Sequence, residues 1–250
     1  MYAKRLRQLT GLLFIAGAIL VNIPYALLIM NFNYPDILRE TAVDILTQFH
    51  AGGAGLIFTW LAFAWAGMPL FFGIILFRKA VAGEQSALLD VATAVGIIAF
   101  LVQVIGLLRW VFVVPLLAQI IVDPASSEMA RQAAVVSFQT IHQYGGMVMG
   151  EHMGQLFSIT WTILLSLAAW RQGYFPRWLA GYGIASALVY LLAQTELFAT
   201  VLPDFPIVPE AGLIGSVMWL LWIIGVGISL LWPKSATAVH PSRTISQIPT

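Results

Sequence analysis

The chain has 250 residues, of which 60% are hydrophobic and 9% are charged. Soluble domains carry about 25% charged residues, so this composition excludes an ordinary soluble domain and indicates a polytopic membrane protein. The formal net charge of +1 provides no basic surface for nucleic acid. The lack of cysteine excludes disulfides, thiolate catalysis, iron–sulfur clusters and cysteine-ligated zinc.

Six apolar segments approach the ~20 residues that a helix needs to cross a hydrocarbon core of about 30 Å. Every backbone polar group must be satisfied within lipid, and these runs are too continuous for the alternating strands of a barrel. We therefore predict an all-α, six-helix membrane domain at 1–232, with spans at about 9–30, 55–77, 91–117, 151–170, 179–197 and 211–232.

The first segment resembles a signal peptide only at its basic start. Lys4, Arg5 and Arg7 precede an apolar run that is longer than the ~7–15 residues of a signal-peptide core, and no small-residue cleavage site follows it. We interpret this segment as a retained span. Pro24 lies within it, removes one backbone hydrogen bond and predicts a kink.

Lysine and arginine are distributed asymmetrically about the predicted spans. If the amino terminus is cytoplasmic, the outside loops hold only Arg39 and Arg131, Arg109 lies in the membrane, and the other basic residues are inside: Lys4, Arg5, Arg7, Arg78, Lys79, Arg171, Arg177, Lys234 and Arg243. This bias is the positive-inside pattern. We therefore predict cytoplasmic termini in a bacterial inner membrane, with 233–250 as a disordered cytoplasmic tail.

Three of the predicted helices carry ionisable residues at a similar depth. At a rise of ~1.5 Å per residue, Arg109, Glu151, His152 and Glu196 lie ~25–29 Å from the end of the bundle that holds the termini. Charged side chains that face lipid are costly, so these groups should point inward, with Arg109 paired to Glu196 or Glu151. Two interpretations remain open, a structural ion pair that caps the bundle and a functional pocket.

The stretch from Phe138 to Trp170 joins an apolar run to a polar, glycine-rich start. Gly146, Gly150 and Gly154 have the small-xxx-small spacing that lets helices approach closely, so we predict that they form a packing face. The pair Gly145-Gly146 could also break the helix and separate an outer or re-entrant segment from the span.

Histidine and methionine suggest a metal site as a further hypothesis. Imidazole and thioether ligands suit copper or haem iron, and the candidates are His50, His142, His152, Met149 and Met153. His142 and His152 lie ~15 Å apart on a continuous helix, so they could share one metal only if the glycines break that helix. The simpler interpretation is that both histidines form hydrogen bonds. No catalytic motif such as G-x-S-x-G or H-E-x-x-H is present.

Short motifs occur in the first, third and fifth predicted spans: Leu9-Thr-Gly-Leu-Leu, Leu107-Leu-Arg-Trp and Phe175-Pro-Arg-Trp-Leu-Ala-Gly-Tyr-Gly. Together they resemble a bacterial six-span membrane family that is catalogued only as a domain of unknown function, over about Leu9–Trp232. The resemblance implies that Arg109 matches an arginine of the third span and that Pro176 begins a cytoplasmic entry to the fifth. It implies an architecture but no activity.

The leading functional hypothesis is a membrane protein with an outward-facing polar pocket that binds or transports a small ligand. Seven residues are the candidates to line this pocket: Asn22, Gln103, Arg109, His142, Glu151, His152 and Glu196. One alternative is an accessory subunit of a larger membrane complex, or a homo-oligomer, assembled through the glycine face. Another is a haem- or copper-binding redox protein. No sequence feature favours an enzyme.

Overall fold

The structure is a computed structural model that describes residues 2–81 and 86–232. These residues form helices and connecting loops without strands, and six helices are long and apolar enough to cross a membrane. They are α1 (Tyr2–Phe32), α2 (Ala42–Val81), α3 (Ala87–Val122), α4 (Glu128–Gln172), α5 (Arg177–Ala199) and α6 (Ala211–Leu231). The prediction of an all-α protein with six membrane-capable helices is confirmed. The predicted tail at 233–250 lies outside the described residues.

Helices α2, α3 and α4 are longer than the spans predicted for them, with 40, 36 and 45 residues. The extra turns of α2 and α4 carry polar residues, which ended the apolar runs in the sequence. They are nevertheless helical because each has one apolar face that packs inward. In the first part of α4, for example, Ala134 and Phe138 are buried at a spacing of four residues.

Three of the helices are interrupted where the sequence weakens helical hydrogen bonding. The predicted kink in α1 occurs at Val21, three residues before Pro24. Helix α3 is interrupted at Val113 (φ −113°, ψ −53°), two residues before Pro115. Proline has no N–H to donate to the preceding turn, which accounts for both positions. Helix α2 is interrupted twice, at Gly53, whose φ of 55° favours glycine, and at Gly67, two residues before Pro69.

The six helices form a ring in chain order. Each helix packs against the helix before it and the helix after it, and α1 packs against α6 to close the ring. An even number of crossings places both ends of the described chain on one side of the bundle, here named the terminal side. The opposite side, which holds the connections at 33–41, 123–127 and 200–210, is named the loop side.

Aromatic side chains fill the ring in two separate cores. In the terminal half, Trp161 contacts Phe14 of α1 and Trp222 of α6 edge to face, with ring centroids 6.2 and 5.5 Å apart. In the loop half, Trp60 of α2 stacks on Trp110 of α3 at 4.7 Å and an interplanar angle of 9°. Offset stacks and edge-to-face pairs are the preferred aromatic geometries.

The Trp60–Trp110 stack provides a test of the loop-side core. Trp60 is fully buried, but its indole N–H has no partner among the described residues. Trp60→Ala should therefore destabilise the protein by about 3 kcal/mol, the low end of the range for buried tryptophans, because lipid itself is apolar. Trp60→Phe should cost less, since it keeps an aromatic ring, leaves a smaller cavity than alanine and removes an unpaired donor.

Thermal unfolding in mild detergent is the measurement, with Trp65→Ala as the matched control because Trp65 is 44% exposed. Equal melting temperatures for Trp60→Ala and Trp65→Ala would contradict the assignment of Trp60 to the core.

Candidate functional site

The site is built on a close approach of α3 and α4. A Cβ added to Gly106 would lie 2.6 Å from Gly150 Cα and 2.8 Å from the Gly145 carbonyl oxygen. Gly154 lies against Gln103, whose Nε2 donates to Ser158 Oγ at 3.0 Å and more weakly to the Gly154 carbonyl at 3.4 Å. The predicted glycine face is therefore occupied within the chain by α3. The docking of a partner on this face stays a prediction.

Arg109 occupies the space opened by these glycines. Its guanidinium lies against Gly146, where a Cβ would be 2.5 Å from Nη2, and 5.1 Å from the centre of the Trp110 ring. Its Nη1 donates to the Gly106 carbonyl oxygen. The residue is 7% exposed, and its Nε is buried without a partner.

The expected salt bridge of Arg109 with Glu196 or Glu151 is wrong. Within residues 2–81 and 86–232, salt bridges join Arg39 to Asp36 at 3.0 Å and Arg78 to Asp90 at 2.7 Å, and Arg109 takes part in neither. Glu151 lies within electrostatic range of Arg109 but outside salt-bridge distance. The reason is the packing of α3 on α4, which directs the guanidinium onto a glycine backbone and an indole ring.

Tyrosines from two other elements approach the same charges. Tyr34, in the loop between α1 and α2, packs its ring edge-on against Trp60 at 5.2 Å. Burial raises the pKa of Tyr34, the Glu151 carboxylate raises this pKa further, and Arg109 lowers it. Tyr190 of α5 is also within electrostatic range of Tyr34 and Glu151. The arrangement therefore joins a cation, a carboxylate and two phenols.

The middle of α4 is a π-helical segment, His142–Met153, so the helix continues through Gly145-Gly146, where the sequence had left a break open. The chain stays helical through the wider π-helical turns. The glycines at the contact allow the backbone of α3 to approach. Segments of π-helix are rare and occur often at functional sites. This one contributes Gly146, Glu151 and His142 to the region around Arg109.

His142 connects the Arg109 region to the loop side. Its ring stacks on Phe138 at 5.3 Å and meets Trp110 edge-on at 6.1 Å. Its Nδ1 is buried and has no partner in the described part of the chain. The same histidine lines a cavity of about 200 Å³, together with Glu40, Gln139, Gln143 and four apolar or alanine side chains.

His152 lies in a different environment from His142. Its Nδ1 is 2.6 Å from Gln194 Oε1, and Gln194 Nε2 donates to Gln155 Oε1 at 2.6 Å. Because an amide oxygen only accepts, Nδ1 donates the hydrogen bond in this arrangement. Glu196 lies two residues beyond Gln194, half-buried and within electrostatic range of Glu151.

The metal candidates do not converge. No three histidine, aspartate or glutamate side chains are grouped to hold a metal ion among the described residues. His142 and His152 contact different partners, and His50 is exposed on α2. Met149 and Met153 are half-buried in the π-helical segment. The described donors therefore provide no geometry that would hold one copper ion between the histidines.

Two expected pocket residues make hydrogen bonds within and between helices. Asn22 Nδ2 donates to the Ala18 carbonyl oxygen at 2.6 Å, next to the break in α1. Gln103 joins α3 to α4, as described above. Sequence patterns gave no signal for Tyr34, which is in a loop, or for Tyr190. Gln194 could have been found, because it is an amide within a membrane-capable helix.

The fold and these internal polar groups define the class, an integral membrane protein with six membrane-capable helices. The family described as "Domain of unknown function (DUF4386)" matches residues 9–227. The chain belongs to this family, as the sequence motifs predicted. No curated protein and no solved structure matches the chain.

The contact of α3 with α4 gives a prediction about the glycines. Gly106→Ala should lower the melting temperature strongly, because the new Cβ would meet backbone atoms of α4 that cannot rotate away. Gly55→Ala is the control. A Cβ at Gly55 meets nothing within 4 Å, and alanine favours a helix over glycine by about 1 kcal/mol. Similar melting temperatures for the two variants in mild detergent would disprove the close approach.

Proposed function

We propose that this protein binds a small ligand with an anionic group, and transports it or responds to it, through the polar site around Arg109. The observation that carries the proposal is a deeply buried arginine whose guanidinium has no carboxylate within salt-bridge distance in the described chain. Its direct contacts are a backbone carbonyl oxygen, an indole ring and a glycine.

The energetic reasoning starts from the cost of this charge. An ionised side chain inside a membrane protein is expensive and is usually paired or directed at a functional cavity. The negative charge of Glu151 lowers the free-energy cost of burying the Arg109 charge. Glu151 does not, however, form the salt bridge that would remove this cost. A carboxylate or phosphate could form a bidentate pair with the planar guanidinium, which is the strongest partner for such a group.

An approach to Arg109 leads from the loop side. The cavity of about 200 Å³ is lined by His142, and His142 touches Trp110, whose ring lies beside the guanidinium. We propose that a movement of the His142 ring admits the ligand from the cavity to Arg109. Glu40 at the cavity would disfavour a ligand of purely negative charge, so a zwitterion suits this path better than a simple anion.

The test is a thermal-shift screen of the purified protein against inorganic phosphate, acetate, glutamate and glycine. We expect at least one carboxylate or phosphate compound to raise the melting temperature of the native protein. Arg109→Met should abolish this shift. The variant itself should melt at the native temperature or above it, because replacing a buried charge by an apolar side chain of similar size is often neutral or stabilising.

Arg39→Met is the control, since Arg39 is exposed and bonded to Asp36. It should retain the ligand shift. Glu151→Gln should strengthen ligand binding, because the Glu151 carboxylate competes with an anionic ligand for the positive charge of Arg109. A ligand shift that persists in Arg109→Met would overturn the proposal, and unfolding of Arg109→Met without ligand would assign the arginine to structure.

We also propose that both termini face the cytoplasm of a bacterial cell and that the protein lies in the inner membrane. The support is the charge pattern, in which basic residues are concentrated at the terminal side and acidic residues at the loop side. This orientation would expose the cavity beside His142 to the outside.

The lack of cysteine permits a direct test of orientation in intact cells. Ser126→Cys, in the connection between α3 and α4, should react with a membrane-impermeant maleimide. Ser246→Cys, near the carboxyl terminus, should react only after the membrane is permeabilised. The reverse pattern would place the termini outside.

A further inference from the structure

A large apolar groove lies on the terminal side, far from Arg109. Its volume is about 550 Å³, and its walls come from the connection between α4 and α5 and from one face of α6. Helix α4 ends at Gly173, which has a φ of 66° and turns the chain sharply. Tyr174 and Phe175 then pack into the core, and Trp178 is left at the rim with 71% of its surface exposed.

Among the described residues, one cationic side chain lines the groove, Arg7 of α1. Its Nη2 donates to the Ser229 carbonyl oxygen at 3.1 Å, which fixes the guanidinium beside α6. Its Nε is buried and has no partner in the described chain. The Arg7 guanidinium is therefore held at the edge of an apolar groove, and it keeps N–H donors that can bind a ligand.

The surroundings of the groove are positively charged. Exposed basic residues lie at the same end of the bundle: Lys4, Arg5, Arg171 and Arg177. Among the described acidic residues, Asp90 lies at this end, and it is bonded to Arg78. Trp178 and Trp232, 71% and 69% exposed, border the groove. Exposed tryptophans beside basic residues are typical of the membrane–water interface.

From this combination we infer that the groove is a binding site for an anionic phospholipid of the leaflet on the terminal side. One acyl chain lies along the apolar face of α6, next to Ile228, and the phosphate lies against Arg7. Basic pockets between membrane helices recognise anionic headgroups in this way. The acyl chains of a lipid without net charge could also pack against the apolar walls. The headgroup of such a lipid, however, carries an ammonium group that the surrounding cations repel.

Native mass spectrometry of the full chain in mild detergent tests this inference. The protein is incubated with equal amounts of phosphatidylglycerol and phosphatidylcholine that have the same acyl chains. We expect one phosphatidylglycerol to be retained in preference to phosphatidylcholine. Arg7→Gln should lower this preference about fivefold, the effect of one cation near an anionic surface.

Two variants separate charge from folding. Arg7→Lys should keep most of the preference, because the cation remains, and Arg39→Gln should keep it fully, because Arg39 is exposed on the loop side, away from the groove. Ile228→Trp fills the groove while Arg7 stays in place, and it should reduce the binding of both lipids. Equal retention of the two lipids by the native protein would overturn the inference. An undiminished preference in Arg7→Gln together with undiminished lipid binding in Ile228→Trp would overturn it as well.

Discussion

The contact of α3 with α4 at Gly106 and Gly150 is the constraint on which the polar half of this protein depends. Lipid supplies no hydrophobic driving force between helices, so close backbone packing and internal hydrogen bonds must hold them together. Here the two backbones approach so closely that a single methyl group at Gly106 would not fit. The same approach creates the space above Gly146 that the Arg109 guanidinium fills.

The position of Arg109 then determines the chemistry of the site. The guanidinium lies over the ring of Trp110, which stacks on Trp60, and Tyr34 packs edge-on against Trp60. This support is rigid and apolar, so it orients the cation without neutralising it. The carboxylate of Glu151 acts from a greater distance. A buried cation in such surroundings is suited to a ligand that brings its own negative charge.

The two sides of the bundle have different sites, but the same physical rules explain both. On the loop side, long helices extend beyond the apolar runs and enclose polar residues between aromatic side chains. On the terminal side, a left-handed turn at Gly173 draws Tyr174 and Phe175 inward and leaves an apolar groove beside Arg7. In both places a cation lies at the edge of apolar surface. On the loop side the direct contacts of the cation come from within the bundle, and on the terminal side the cation borders an open apolar groove.

The sequence by itself determined the class, the number of membrane-capable helices and the interruption near Pro24, because hydropathy and the missing proline N–H act within a single stretch of chain. It also identified Arg109 and the spacing of Gly146, Gly150 and Gly154. Only the tertiary structure decided that Arg109 meets glycine and tryptophan instead of Glu196, and that Tyr34 joins it. Such contacts depend on the rotation and axial shift of each helix against its neighbours, which are fixed by the packing of the whole ring.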